Sequence, residues 1–169
     1  ETTVYNNVLD GIEIVAPAGL AAGPSGTPSF LYNQITLNGG YPIILPASSV
    51  DKLDWSSSYV GNLEDSIIVR GGVIDRDAHW QRLDAPYQIQ RDIQVAGTVE
   101  PRLSIESGTA VYFDPAVELV IGSGSPGSFS AVGTVEPILF GASDASSGNW
   151  GGLRFADQCL SPIILENVI

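Results

Sequence analysis

Methionine is absent from this 169-residue chain, and cysteine, histidine and lysine occur once each, as Cys159, His79 and Lys52. One cysteine excludes an intrachain disulfide, and a lone histidine with no second histidine or cysteine beside it lacks the ligand spacing of a zinc site. One lysine leaves little room for Schiff-base chemistry. Positive charge is scarce: Lys and Arg number 7 against 19 Asp and Glu, a net charge of −12. Such a chain repels phosphate backbones and anionic membranes and has no basic stripe to neutralise phosphates, which argues against a nucleic-acid partner. Apolar runs fall short of the roughly 18 residues that suggest a bilayer span, so no membrane insertion is expected. Glycosylation sequons are missing too, since Asn6, Asn7, Asn33, Asn38, Asn62, Asn149 and Asn167 all lack a hydroxyl residue two positions on. The chain opens on Glu1 with no signal segment, which fits a processed protein or a piece of a longer one.

What is present is a repeated grammar of short apolar strands and Gly-bearing corners. With 44% hydrophobic residues the composition is far from disordered, and 169 residues suffice for a single domain over 1–169. The strand phrases are Pro86–Ile89, Ile93–Val95, Leu103–Ile105, Ala110–Phe113, Leu119–Ile121, Phe129–Ala131, Pro137–Phe140 and Trp150–Phe155. Strands this short and this closely spaced suit a solenoid, in which each strand stacks on its equivalent one coil below. The expected fold is all-β, a parallel β-helix of about seven coils at roughly 20 to 25 residues each. Ile89, Ile93, Val95, Leu103, Ile105, Val111, Phe113, Leu119, Ile121, Ile138, Phe140, Leu153 and Phe155 should face inward. Ala16 to Ser29, rich in Ala, Gly and Pro, reads as a loop leaving the stack, with 123–128 and 142–149 as shorter excursions.

The phrases Trp80-x-x-Leu83-x-x-Pro86-Tyr-x-Ile89, Asp92-Ile-x-Val95, Leu103-Ser-Ile-Glu-Ser-Gly-Thr-Ala-Val-Tyr-Phe113, Gly133-Thr-x-x-x-Pro137-Ile-x-Phe140 and Gly148-x-Trp150-Gly-Gly-Leu-x-Phe155 resemble right-handed parallel β-helix domains of large secreted bacterial surface proteins. In that family the motifs read L-T-I-x-P-G-T-x-V-x-F and G-x-W-G-G-I-x-F, so Ser104 stands for the usual Thr and Ser107 for the usual Pro. The resemblance covers Trp80 to Ile169 and weakens toward the N-terminus. It implies right-handedness and an extracellular or cell-surface setting, and it brings no catalytic residue.

Three internal echoes accompany the strand grammar. Gly97-Thr-Val-Glu-Pro101 recurs as Gly133-Thr-Val-Glu-Pro137, Pro42-Ile-Ile-Leu45 as Pro162-Ile-Ile-Leu165, and the phrase from Asn7 to Ile14 is echoed from Asn62 to Val69. Both ends fall inside the strand pattern, where an unpaired edge is a template for another chain. The expected interface is end to end, through Val4, Val8, Ile12 and Ile14 at one end and Ile163, Leu165 and Val168 at the other, with copies of the chain as head-to-tail partners.

Chemistry-bearing residues are few. Asp75, Asp77 and His79, the pair Asp51 and Asp54, and the pair Glu64 and Asp65 are the carboxylate candidates for acid–base work on polysaccharides or for calcium. Their ordinary reading is solvated corner charge. Cys159 reads as a small buried apolar residue rather than a nucleophile. Trp55, Trp80 and Trp150 with the tyrosines could form a sugar-stacking face, but aromatics at strand starts usually pack the core or its corners. No catalytic, cofactor or metal residue is therefore assigned. Two functions remain: a structural subunit or repeat of an extracellular fibre or adhesin, and a carbohydrate-binding or carbohydrate-active domain, with polysaccharide as the partner.

Overall fold

A computed structural model describes residues 2–24, 27–144 and 149–169. Its strands, in chain order, are β1 (Thr2–Tyr5), β2 (Ile12–Glu13), β3 (Asn33–Thr36), β4 (Ile43–Leu45), β5 (Ile67–Val69), β6 (Gly72–Ile74), β7 (Ala78–Trp80), β8 (Tyr87–Ile89), β9 (Ile93–Val95), β10 (Arg102–Ile105), β11 (Ala110–Phe113), β12 (Glu118–Ile121), β13 (Ser128–Val132), β14 (Leu139–Ala142), β15 (Gly152–Phe155) and β16 (Ile164–Glu166). They form four parallel sheets: a first sheet β2-β4-β5-β8-β11-β14, a second β6-β9-β12-β15, a third β7-β10-β13-β16, and a short fourth β1-β3. The chain is thus all-β, with every named pairing parallel.

From β5 onward the strands visit the first, second and third sheets in rotation, and each pairs with the strand three places further on. A circuit is one passage through the three sheets, from a strand to its register partner. The shortest named circuit is 20 residues, from Ile67 to Tyr87, and the longest are 34, from Leu119 to Leu153 and from Ser130 to Ile164. Inserted residues stretch the circuits beyond the 20 to 25 expected, so the longest sheet carries six strands rather than about seven.

Alternation sets what faces in. In β9 Ile93 and Val95 are buried around a half-exposed Gln94, and in β11 Val111 and Phe113 are buried around Tyr112. Of the residues expected inside, those from Ile89 to Phe140 are buried and join one continuous cluster. Leu153 and Phe155 differ: they are half-buried, packed against that cluster from one side, because β15 is the last strand of its sheet. Full burial of a Val, Leu, Ile or Phe side chain contributes about 1.5–3 kcal/mol, so this cluster supplies the main driving force for stacking.

The N-terminal third departs from the strand grammar. After β4 a 3₁₀ helix, Ala47–Lys52, lies against β6 and β7, with Ala47 N–H bonded to the Gly71 carbonyl at 3.0 Å. It stands where the second sheet would otherwise continue. The Ala16 to Ser29 segment forms no strand among its described residues, as expected, yet it does not simply leave the stack. Leu20 packs against the core and its N–H bonds Ser49 Oγ at 3.1 Å, so the loop folds over the 3₁₀ helix. Of the 142–149 excursion, residues 145–148, including Gly148 of the resemblance motif, lie outside the described residues.

Two of the three echoes do not mark equivalent places. Gly97 to Pro101 joins the second sheet to the third, whereas Gly133 to Pro137 joins the third to the first. Ile43–Leu45 lies in the first sheet and Ile164–Glu166 in the third. The echo of Asn7 by Asn62 is true to register: Ile12 and Ile67 both pair with Ile43.

Candidate functional site

The third sheet gathers three of the sequence candidates. In β7 the inward Ala78 and Trp80 leave His79 outward, and the parallel register sets Ser104 of β10 opposite it. His79 Nδ1 lies 3.1 Å from Ser104 Oγ, which also donates to the Ala78 carbonyl at 3.3 Å. Asp77, one residue before β7, accepts the Arg102 N–H at 2.9 Å. With Asp51, Pro28 and Gln81 these residues line an open cleft of about 250 Å³. Asp51 is paired with Lys52, whose side chain is nearly inaccessible, so the sole lysine is spent on a buried ion pair.

A serine beside a histidine suggests a nucleophile and its base, a pairing that also needs a third group to orient the base and donors for an oxyanion. Among the described residues, no side chain bonds His79 Nε2, and Asp77 turns to the Arg102 backbone. The strand N–H groups are spent on the ladder. The arrangement is a cross-strand polar pair able to hydrogen-bond a polar ligand.

The other carboxylate candidates are dispersed. Asp75 pairs with exposed Arg76 at 3.5 Å, Asp54 accepts the Ser56 N–H at 2.9 Å, and Asp65 accepts the N–H groups of Gly61 and Asn62 at 3.0 and 2.8 Å. Glu64 is exposed beside Asp65. Asp10, Asp84, Asp92 and Glu106 likewise accept the N–H groups of Tyr41, Tyr59, Glu118 and Arg82. Each corner leaves backbone donors outside the ladder, and a carboxylate is a strong acceptor for them. Much of the acidity is thereby structural. Among the described residues no group of His, Cys, Asp and Glu is placed to hold a metal ion.

Cys159 is half-buried against the core, and burial raises its thiol pKa. Trp80 is buried 5.3 Å from Tyr87, and Trp150 stacks on Phe113 at 4.4 Å. Burial drives the phenol pKa values of Tyr59 and Tyr87 well upward. Tyr41 is raised too, by partial burial first and by Glu64 next. Only Tyr5, Tyr32 and Trp55 among the aromatics are strongly exposed. The Tyr32 N–H bonds Ser56 Oγ at 3.1 Å, which sets Tyr32 and Trp55 on neighbouring circuits.

The expected end-to-end residues occupy different sheets. Val4 lies in β1 and Val168 bridges Ile138, both in segments leading into the first sheet; Ile12 is in the first sheet itself with Ile14 just after it, and Leu165 is in the third with Ile163 just before it. Val8 is 90% exposed on a corner.

A ladder of asparagines went unread in the sequence. Asn7 Nδ2 donates to Asn38 Oδ1, and Asn38 Nδ2 to Asn62 Oδ1, each at 2.8 Å. The carbonyl oxygens also accept backbone N–H groups of Asn7 and Asn38, and Asn62 Nδ2 closes on the Ile35 carbonyl at 3.0 Å. Each rung follows a left-handed residue: Asn6 at φ 57°, Leu37 at 55° and Gly61 at 87°. A residue that turns the backbone this way leaves ladder donors and acceptors unmatched, and stacked amides satisfy them. Asn7 and Asn62 stood in the one echo that was true to register. Asn38, the middle rung, was hidden because Gly39 follows it where an apolar residue, Val8 or Leu63, follows Asn7 and Asn62.

No helix among the described residues is long and apolar enough to cross a membrane. The chain matches no family model, no curated protein and no solved structure.

Proposed function

We propose that the chain is a non-catalytic structural segment of an extracellular fibre or surface adhesin. In this reading it is one right-handed parallel β-helix, extended along its axis by further coils from a second copy or from more of the same chain. Strands that pair in parallel with the third strand onward are what a three-stranded coil makes. Parallel strands joined by crossovers in one sheet are right-handed in roughly 98% of cases. The observation that carries the proposal is the state of the last circuit. Leu165 is 48% exposed although Ala131, its register partner, is fully buried, and Leu153 and Phe155 stand half-buried beside fully buried Leu119 and Ile121. Residues of core type are half-exposed there, and the outer edges of β15 and β16 are open to a pairing strand, whereas Phe140 of β14 already donates its N–H to the Ile169 carbonyl at 2.8 Å.

Sedimentation velocity and negative-stain microscopy test this. The 169-residue chain is expected to form axial assemblies that Leu165→Lys disperses. A wild-type chain that stays monomeric at high concentration would sink axial stacking between copies. Carbohydrate binding is the second reading, favoured by exposed Tyr32 and Trp55 beside a shallow cleft of about 380 Å³ lined by Asn33, Gln34, Ser56 and Ser58. Loss of oligosaccharide retention in Trp55→Ala would support it.

A further inference from the structure

Six arginines serve a chain of net charge −12, and carboxylates outnumber them widely. Arg82 and Arg154 each find one at close range, Glu136 at 2.9 Å and Glu118 at 3.0 Å. Against that background one place concentrates positive charge. Arg70 lies two residues before Gly72, and Arg91 two residues before Ile93; Gly72 and Ile93 are register partners. Both arginines therefore lie in the corners that lead into neighbouring strands of the second sheet, on adjacent circuits. Like charges on adjacent corners repel unless something answers them.

The protein answers them weakly. The nearest carboxylate to Arg70 is Glu13, 3.8 Å away with both side chains about half exposed. Arg91 has no ion pair or side-chain hydrogen bond within the described residues. The neighbouring Asp92 is turned to the Glu118 N–H at 2.9 Å. Both arginines line a cleft of about 510 Å³ that also contains Ile14, Val15, Pro46 and Val73. This is within the range of pockets that take a small organic molecule. Glu13, Gly71 and Gly72 line it too; both glycines are at positive φ, and a Cβ at Gly72 would meet nothing. The cleft is therefore open at that point, and its lining combines apolar side chains with both arginines and one carboxylate.

We propose that this cleft binds an organic oxyanion, its carboxylate, sulfate or phosphate group bridging Arg70 and Arg91 and its less polar body lying along Ile14, Pro46 and Val73. Guanidinium groups suit such anions because two N–H donors meet two oxygens in parallel. The cleft lies away from the edges of β15 and β16, but Ile14 follows β2, the outermost strand of the first sheet, so coils added at that end would border it.

The test is titration with hexanoate, glucuronate, inorganic sulfate and inorganic phosphate, read by arginine side-chain Nε–Hε resonances and by the melting temperature at constant ionic strength against chloride. At least one anion is expected to shift the Arg70 and Arg91 signals together and to raise the melting temperature by mass action. Hexanoate or glucuronate binding more tightly than the inorganic ions would identify a ligand with a body; the reverse order would identify the oxyanion group alone as what is read. Arg70→Gln and Arg91→Gln should each weaken binding about tenfold or more, while Arg76→Gln, on another corner, leaves it unchanged. Folding of each variant is checked by circular dichroism, and because both side chains are exposed the backbone should not change. If no anion shifts either arginine, or if all arginines shift alike, the site is refuted.

Discussion

The strands β12 and β15 are register partners that each turn two apolar residues inward, and they live in different conditions. Leu119 and Ile121 of β12 are sealed by β9 on one side and β15 on the other, whereas Leu153 and Phe155 of β15 have a neighbour on one side and remain half-buried. The sequence pattern decides which side chains point inward. The neighbouring circuit decides whether pointing inward means burial. In a stack of this kind stability accumulates at contacts between adjacent layers, so the same residue type should be worth more in the middle than at the end.

The sharpest way to break that comparison uses phenylalanine in both places. Phe129 is fully buried, with the rings of Phe140 and Phe155 at 6.3 and 6.0 Å. Phe129→Ala should cost about 3–5 kcal/mol, and Phe155→Ala about half as much because water already reaches one face. Urea unfolding measures both; equal losses would show that the last layer is as sealed as the middle. Alkaline pH probes the same interior. Burial raises the phenols of Tyr59 and Tyr87 above the ordinary 10.0, so the unfolded state loses those protons first and the folded state is penalised as pH rises. Stability is then complete below pH 10 and falls above it, by about 1.4 kcal/mol per pH unit for each tyrosine. Phenolate absorbance of these two should appear only with unfolding, and their titration in the native protein would contradict it.

The asparagine ladder makes the comparison within one corner. Asn38 is 3% exposed and serves both neighbours, while Asn7 is the outermost described rung and donates only inward. Asn38→Ala strands buried amide and carbonyl groups and should cost about 2 kcal/mol; Asn7→Ala should cost under about 1. Thermal melts decide between this gradient and a ladder whose rungs contribute equally.

Much of the middle of the fold was legible because strand alternation acts locally: β8 to β13 fall where the apolar phrases stand, and the inward residues from Ile89 to Phe140 are buried. The N-terminal third was less legible. Nothing in Ala47-Ser-Ser-Val-Asp-Lys52 marks a 3₁₀ helix in the place of a strand, since its position is set by β6 and β7, which come later in the chain. Repeated words misled where they were corner chemistry rather than register, as with Gly-Thr-Val-Glu-Pro at two different corners. Asp51, Asp77 and His79 do meet in one cleft, but what they bond is decided by corner N–H groups that a sequence does not display. The arginine pair was invisible for a related reason: only the pairing of β6 with β9 brings the corners that carry Arg70 and Arg91 onto adjacent circuits.

The smallest expected effect tests the corner that the repeated word does occupy. Val135 is 87% exposed, and the segment around it is held by its backbone: Ser107 Oγ accepts the N–H groups of Val135 and Glu136 at 3.1 and 3.0 Å and donates to the Glu136 carbonyl at 2.8 Å. Ser107 is the residue that departs from the proline of the resembled motif, and its hydroxyl ties one circuit to the corner of the next. Val135→Thr keeps the shape and touches none of those bonds, so it should change stability by no more than about 0.5 kcal/mol. Ser107→Ala removes all three and should cost about 1 kcal/mol or somewhat more. A double-mutant cycle between the two positions is expected to show no coupling, because the valine side chain takes no part in the tie. Coupling beyond experimental error would mean that the exposed valine is covered in solution, as it would be if this corner carried a contact between copies.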